Sequence, residues 1–439
     1  MRAAPGGRKS ICGWPFAPFD GPIAGARRRD RAETVVVTIE TWIFLLSALW
    51  WGLAAAVHLG TIATAWIHPR FRAARRLNDR APPVSVIVPL KGLDAELAGN
   101  LASLLRQDYP DYEVLFSVAE ADDPAAAVAR RAIAEAPHVP ARLVVGAAAV
   151  SNHLKTNNMI RPLGAARHDA VLITDSNVRS EPDRIAGLMR HLGGRQGLVS
   201  ATAAGARPDT MAGELECAFL NGYCTRFLLF GDRIGRTVAL GKTMLFRRSD
   251  LERAGGITQL ARGGADDVAL TRAITGLGLR VAMAERAAVH PVAGRRFGEV
   301  WSRHARWLVY RRDYALLTFV LEPFGGGLVA AAMAGLVGAF NPFGLPAALA
   351  VAAHLAIWYG AEAALLRARG WHLGWRSPLA WLARDAMLPA MWVRSMMSRR
   401  MRWRGVTVTV QPGRDLPGGA AALDEPVAGA AAASEGEAT

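Results

Sequence analysis

Pro83–Glu120, PVSVIVPLKGLDAELAGNLASLLRQDYPDYEVLFSVAE, is the stretch that decides the fold. Its opening run, Pro83 to Leu90, is short, rich in β-branched residues and uncharged, the mark of a strand buried on both faces. Asp94 to Gln107 reads as a helix, and Tyr112 to Glu120 as a second strand. An Ala-rich helix follows Asp123, with further strands at Ala141–Gly146 (ARLVVG) and Ala170–Asn177 (AVLITDSN). Strands alternating with helices predict an α/β domain with a mostly parallel sheet. Ligands of such sheets bind beyond the carboxyl ends of the strands, so polar residues there are the first functional candidates.

Outward from this domain, spanning about residues 80–312, the chain turns apolar. Of its 439 residues 51% are hydrophobic, 13 are Trp, and the mean hydropathy is +0.16. That is too apolar for an ordinary soluble enzyme and predicts membrane spans. Trp42 to Ile67 carries no charge and is long enough to cross a bilayer as a helix, with Trp42 and Trp66 as interfacial anchors and Pro69 expected to stop it. His58 within it is read as a packed or snorkelling residue, not a ligand. Arg lies on both sides of this span, so charge alone does not set its orientation. Leu316–Phe340 and Leu345–Leu366 are two further candidate spans. Trp381–Arg404 mixes Leu, Met, Trp and Arg, and reads as an interfacial amphipathic helix or a short third span. The basic stretch 1–40 and the Ala-, Gly- and acid-rich 413–439 read as disordered tails. The expected order is therefore tail, span 41–68, soluble domain, then C-terminal helices over 313–404.

The formal charge is +15, from 52 Lys+Arg against 37 Asp+Glu. This balance suits an anionic membrane surface or an anionic substrate. Only four residues are lysine (Lys9, Lys91, Lys155 and Lys242), so arginine supplies 48 of the 52. Arginine dominates even the N-terminal tail, which points to composition bias and not to a nucleic-acid patch. Lys91, Lys155 and Lys242 stand in VPLKG, LKTNN and GKTML, where a compact ammonium suits phosphate or hydroxyl contacts. Three cysteines exclude a disulfide framework or a Cys-rich zinc site and suggest a reducing compartment.

Four constellations could carry chemistry. Glu120-Ala121-Asp122-Asp123-Pro124 closes a strand; its carboxylates could meet a base or ribose, or Asp123 could cap the next helix. Asp175-Ser176-Asn177 closes another strand, where an acid could hold a divalent cation on a diphosphate, or again cap a helix. Gly263-Gly264-Ala265-Asp266-Asp267 delivers two acids to a helix start, as a base or as simple caps. Arg303 and Arg306 share one helix face beside Trp307, fit for a diphosphate leaving group or for lying on lipid.

Taken in order, VPLKG, EADDPA, KTNN, TDSN, ADD and RHARW resemble glycosyltransferases of the A-type nucleotide-sugar fold, most nearly the ceramide glucosyltransferases among the family-2 and family-21 enzymes. The resemblance covers about residues 40 to 410 and includes the closing RMRWRG. It implies an inverting transferase moving glucose from UDP-glucose to the primary hydroxyl of a lipid, with Mg²⁺ or Mn²⁺ as cofactor. By motif position, Lys91, Asp122, Asp123, Lys155 and Asn158 would bind the nucleotide sugar and Asp175 the metal–diphosphate. Asp267 would be the general base, with Asp266 its competitor, and Arg303, Arg306 and Trp307 would hold the diphosphate and acceptor. Asn177 replaces the last acid of a strict Asp-x-Asp motif, leaving Asp175 the main metal ligand.

The resemblance further implies a multi-pass membrane protein with a cytoplasmic catalytic domain, placed in a bacterial inner membrane by composition. The acceptor would be ceramide or, in an alternative reading with UDP-N-acetylglucosamine, a hopanoid. A processive polysaccharide synthase would need more spans, and a non-catalytic scaffold would be expected to lack Asp175 or Asp267. No nucleic-acid partner is expected.

Overall fold

The computed structural model describes residues 23–73, 81–94, 96–148, 154–261, 265–314, 316–398, 400–403 and 406–409. The part of the expected N-terminal tail at 1–22 and the whole expected C-terminal tail, 413–439, lie outside the described residues.

Among the described residues, nine strands lie between Val84 and Pro291: β1 Val84–Pro89, β2 Tyr112–Val118, β3 Ala141–Val145, β4 Ala170–Thr174, β5 Gln196–Ser200, β6 Ala203–Ala206, β7 Thr243–Arg247, β8 Arg280–Met283 and β9 Ala288–Pro291. Seven form one sheet in the order β3-β2-β1-β4-β7-β5-β8, and β6 pairs β9 separately. β1 runs parallel to β2 (Val86 opposite Val114) and to β4 (Val86 opposite Leu172). β7 alone is reversed in the large sheet, antiparallel to both β4 and β5. The expectation of a mostly parallel sheet holds.

The unbroken apolar run of β1 has its reason in two cores. Val86 and Val88 pack on one face with Val114, Phe116 and Leu172, whereas Ile87 packs on the other with Leu115, Ile173 and Met244. Helices cover both faces: α1 Ile23–Ala73 precedes the sheet, and α2 Leu97–Leu104, α3 Pro124–Ala134, α4 Leu154–Ala165, α5 Arg184–Met189, α6 Met211–Cys217, α7 Thr225–Arg233, α8 Arg248–Arg253, α9 Asp266–Gly276 and α10 Phe297–Tyr314 follow. A π-helical turn, Ala218–Cys224, joins α6 to α7.

The flanking helices differ from expectation in three places. α1 begins at Ile23, inside the stretch expected to be tail, and passes through Pro69 to Ala73. An interior proline costs a backbone hydrogen bond, but the turn carrying it is held from outside the helix. Arg72 pairs with buried Asp232, and His68 Nε2 donates to the Ala284 carbonyl at 3.0 Å. Leu316–Phe340 is not one span. Glu322, Pro323 and the glycines divide it into α11 Leu316–Leu321, a 3₁₀ turn Glu322–Phe324 and α12 Gly327–Phe340. At ~1.5 Å per residue α12 reaches only about 21 Å, short of a ~30 Å hydrocarbon core. Among the described residues, two helices are long and apolar enough to cross a membrane, Ile39–Ala73 of α1 and α13 Ala347–Arg369. Leu45, Leu46, Leu49, Leu53, Leu349 and Ile357 stand exposed on them, a surface that suits lipid and not water. Finally, the stretch expected at the interface forms α14 Ser377–Met397, which packs Met387, Leu388 and Met391 against Leu215, Phe219, Tyr223 and Leu308.

Candidate active site

The reversal of β7 builds the site. β1 and β4 end at the same rim of the sheet, delivering Lys91 and Asp175, and an antiparallel β7 begins there, delivering Gly241 and Lys242 just before its first residue. α9 opens at this rim with Asp266 and Asp267, and α10 crosses it with Arg303, Arg306 and Trp307. Together they line a cavity of about 890 Å³.

Lys155, in the first turn of α4, has its ammonium surrounded by oxygen. Nζ lies 2.8 Å from Asp175 Oδ1, 2.8 Å from Asp266 Oδ2 and 2.9 Å from the Gly241 carbonyl. The Asp266 contact is an ion pair outside hydrogen-bond geometry, which leaves the buried Oδ2 without a hydrogen-bond donor among the described residues. Lys242 Nζ lies 3.2 Å from Asp175 Oδ2 and donates to Asn177 Oδ1 at 2.6 Å. Burial alone would raise the Asp175 pKa, but the two lysines outweigh it and hold the carboxyl well below its usual range. Burial lowers Lys242 to about 8 despite the Asp175 charge.

Asp267 differs from its neighbours. Its Oδ2 accepts from the Gly241 N–H at 2.9 Å and its Oδ1 from the Val268 N–H at 2.8 Å. Burial, reinforced by the adjacent Asp266 charge, raises its pKa to about 6. A carboxylate tuned near neutrality and fixed by two backbone donors is suited to take a proton from a substrate.

The arginine wall is set by residues that sequence reading missed. Glu216, fully buried on α6, pairs with Arg303 and lies 3.3 Å from His304 Nε2. Arg303 Nη1 and Arg295 Nη2 each approach His290 Nε2 at 3.3 Å. Arginine can only donate, so Nε2 accepts and the proton sits on Nδ1, which donates to the Asn177 carbonyl at 2.8 Å. A neutral His290 on β9 thus ties the Asp175–Asn177 loop to the arginine wall. A lone Glu in the apolar run LECAFL and a lone His in AVHP are the only signals of these roles in the sequence.

Another part of the lining is apolar. Leu220 and Tyr223 of the π-helical turn, Phe227 and Leu228 of α7, and Tyr310 of α10 face the cavity, with the Arg311–Glu322 pair (2.8 and 3.0 Å) at its edge. The π-helical turn is clamped from behind. Arg384 of α14 donates to the Ala218 carbonyl at 3.0 Å and to both Glu362 oxygens at 2.6 and 3.1 Å. It also reaches Asp385 Oδ1 at 2.8 Å. A Cβ at Gly222 would collide with Glu362, so the turn needs glycine there. Arg226 of α7 donates to His58 Nδ1 at 2.8 Å and to the Gly325 carbonyl at 2.8 Å, so His58 is a packed residue as expected.

The cavity brings together Lys91, Lys155, Asn158, Asp175, Asp266, Asp267, Arg303, Arg306 and Trp307. Asn158 clamps the strand ends, its Nδ2 donating at 3.0 Å to both the Leu90 and Ser117 carbonyls. Asp122 and Asp123, expected to meet the nucleotide, are not among the residues lining this cavity. Asp122 is exposed, and Asp123 caps α3 through Ala125 N at 2.9 Å while accepting from Gly92 N at 2.9 and 3.1 Å. Its work is to fasten the Lys91–Gly92 turn to α3, while Glu120 reaches the cavity.

No group of three or more His, Cys, Asp or Glu side chains stands at metal-binding spacing among the described residues. Mg²⁺ and Mn²⁺ commonly take one or two carboxylates and complete their shell with phosphate oxygens and water. Asp175, already balancing cationic charge on both oxygens at the cavity rim, fits that role.

Residues 49–416 match the family described as Glycosyl transferase family 21. The chain is similar to Ceramide glucosyltransferase 1 of Caenorhabditis elegans, 26% identical over 371 residues that cover 80% of this chain and 78% of that protein. It is also similar to Ceramide glucosyltransferase 3 of the same organism, at 23% over 396 residues covering 87% and 83%. Among solved structures, the mannosyltransferase PcManGT from Pyrobaculum calidifontis in complex with GDP-Man and Mn²⁺ aligns with 80% of this chain and 99% of its own, at 22% identity and a TM-score of 0.43.

Proposed function

The chain belongs to glycosyl transferase family 21, and from that premise we propose that it transfers glucose from UDP-glucose to the primary hydroxyl of ceramide with inversion. The observation that carries this reading is one cavity with three kinds of wall. Asp267, the arginines of α10 and the apolar side chains of the π-helical turn and α7 all line it. A polar rim suits the nucleotide diphosphate, and an apolar wall suits the acceptor chains.

A primary alcohol is a poor nucleophile. In the proposed reaction Asp267 accepts the hydroxyl proton as the acceptor oxygen bonds to the anomeric carbon from the face opposite UDP. The bond from that carbon to the diphosphate oxygen breaks in the same displacement, its electrons leaving with UDP. Arg303 and Arg306 face the departing diphosphate, and Glu216 and His290 hold Arg303 in place. Asp175 would hold the divalent ion, which supplies positive charge to the diphosphate when bound. α1 and α13 cross the membrane and keep the catalytic domain on the cytoplasmic face of a bacterial inner membrane, so that the lipid acceptor enters laterally.

The test uses the full chain in detergent with Mg²⁺ or Mn²⁺, ceramide and UDP-glucose, the glycolipid being identified by mass. Hexosylceramide from wild type, lost in Asp267→Ala, is the expected result. Product only with UDP-N-acetylglucosamine and a hopanoid diol would overturn the acceptor and sugar assigned here. No UDP release with any lipid would overturn the transferase reading.

A further inference from the structure

Lys155 is coordinated the way a metal ion is. Its ammonium meets Asp175 Oδ1, Asp266 Oδ2 and the Gly241 carbonyl within 2.8–2.9 Å, and its side chain is only 16% exposed. Lys242 occupies the other oxygen of Asp175. Two of the four lysines in a chain with 48 arginines therefore converge on the one carboxylate assigned to the divalent ion. The residue type matters. A guanidinium would lock a carboxylate in a two-bond fork, whereas an ammonium is a point charge on a flexible stem that can be exchanged for another cation.

We propose that Lys155 is the resident cation of the Asp175 site, withholding Oδ1 from a divalent ion until a nucleotide diphosphate draws the ammonium away. This deepens the reading above, since it rests on Asp175 as the metal-binding carboxylate. Asp266 and the Gly241 carbonyl are the anchor that keeps the ammonium in place. A diphosphate entering beside them offers the same Nζ a richer set of anionic oxygens. Donor binding and metal binding are then coupled through the displacement of one side chain, and by reciprocity each strengthens the other.

The experiment measures Mn²⁺ binding directly, from the electron paramagnetic resonance signal of free Mn²⁺, on the full chain in detergent without acceptor. Wild type is compared with Lys155→Gln, Lys155→Met, Lys91→Gln and Asp175→Asn, each with and without UDP. Without UDP, both Lys155 variants are expected to bind Mn²⁺ about tenfold more tightly than wild type. Lys91→Gln, which removes a cavity charge that does not touch Asp175, is expected to change affinity much less. UDP is expected to tighten Mn²⁺ on wild type by about tenfold and on the Lys155 variants by clearly less.

Unchanged or weaker binding in the Lys155 variants overturns the proposal, as does an equal gain in Lys91→Gln, which would reduce the effect to net charge. Absence of any UDP effect on wild type overturns it without reference to a variant, so a Lys155 variant that fails to fold does not protect it. Asp175→Asn separates the two failures. If it binds Mn²⁺ like wild type, the metal reading of the site is wrong. If it loses binding while Lys155→Gln gains nothing, the site stands and Lys155 is not its occupant.

Discussion

Two buried charge clusters in this molecule look alike on paper and differ in every physical respect. Around the cavity, Lys155 and Lys242 face Asp175 and Asp266; behind the π-helical turn, Arg384 faces Glu362 and Asp385. The second cluster is closed. Arg384, Glu362 and Asp385 are at most 1% exposed, and Asp385 Oδ2 also accepts from Tyr359 Oη at 2.9 Å and Gly327 N at 2.7 Å. The first is open, its carboxylates lining about 890 Å³ of space. The closed cluster is built from a planar fork that fixes geometry, the open one from point charges that can let go. In a chain this rich in arginine, the two lysines at Asp175 set the open cluster apart from the closed one.

The largest way to break the comparison is at the base. Asp267→Asn should lower kcat by about a thousandfold while leaving the thermal transition in detergent nearly unmoved. A kcat within threefold of wild type would remove Asp267 from the mechanism. Arg384→Met comes next. It leaves two buried carboxylates uncompensated and should cost about 3 kcal/mol of stability, read from denaturant unfolding. Lys155→Met should cost far less, because water in the cavity can solvate what it leaves behind. Equal losses would erase the distinction between the clusters.

Glu216→Gln tests whether a carboxylate that touches no substrate still governs the site. With Arg303 loosened, KM for UDP-glucose should rise about tenfold, with a smaller change in kcat. An unchanged KM would make Glu216 a packing residue only. The smallest effect expected is a shift in pH dependence. Asp267 must be ionised to accept a proton and its pKa is raised to about 6, so kcat/KM should be full above that value and fall as pH drops through it. The neighbouring charge is part of the cause, so Asp266→Asn should move the acid limb to lower pH. A limb that stays in place would assign it to another group.

Much of the fold could be read from local pattern, because β1, β2 and β4 are buried on both faces and must be continuously apolar. The site was legible where the chemistry sits at strand ends and helix starts, as with Asp175, Asp266 and Asp267. It was not legible where a partner comes from far along the chain. Glu216 meets Arg303 87 residues away, and nothing in LECAFL announces that pairing. Asp123 shows the converse. The same residue type and position served a nucleotide contact or a helix cap equally well, and only the Gly92 and Ala125 amides decide between them. Pro69 misled because its helix is held by Asp232 and Ala284, contacts that no local rule contains.

The fastening of α1 to Asp232 has a consequence for where the enzyme works. Asp232 belongs to α7, whose Phe227, Leu228 and Gly231 line the cavity. A helix longer than the hydrocarbon around it tilts, and one that matches it stands upright. The last turn of α1 is tied to α7 by Arg72, so the tilt of α1 and the placing of α7 are linked. A helix long and apolar enough to cross a bilayer is thereby joined, through one buried ion pair, to the element that supplies Phe227 and Leu228 to the cavity.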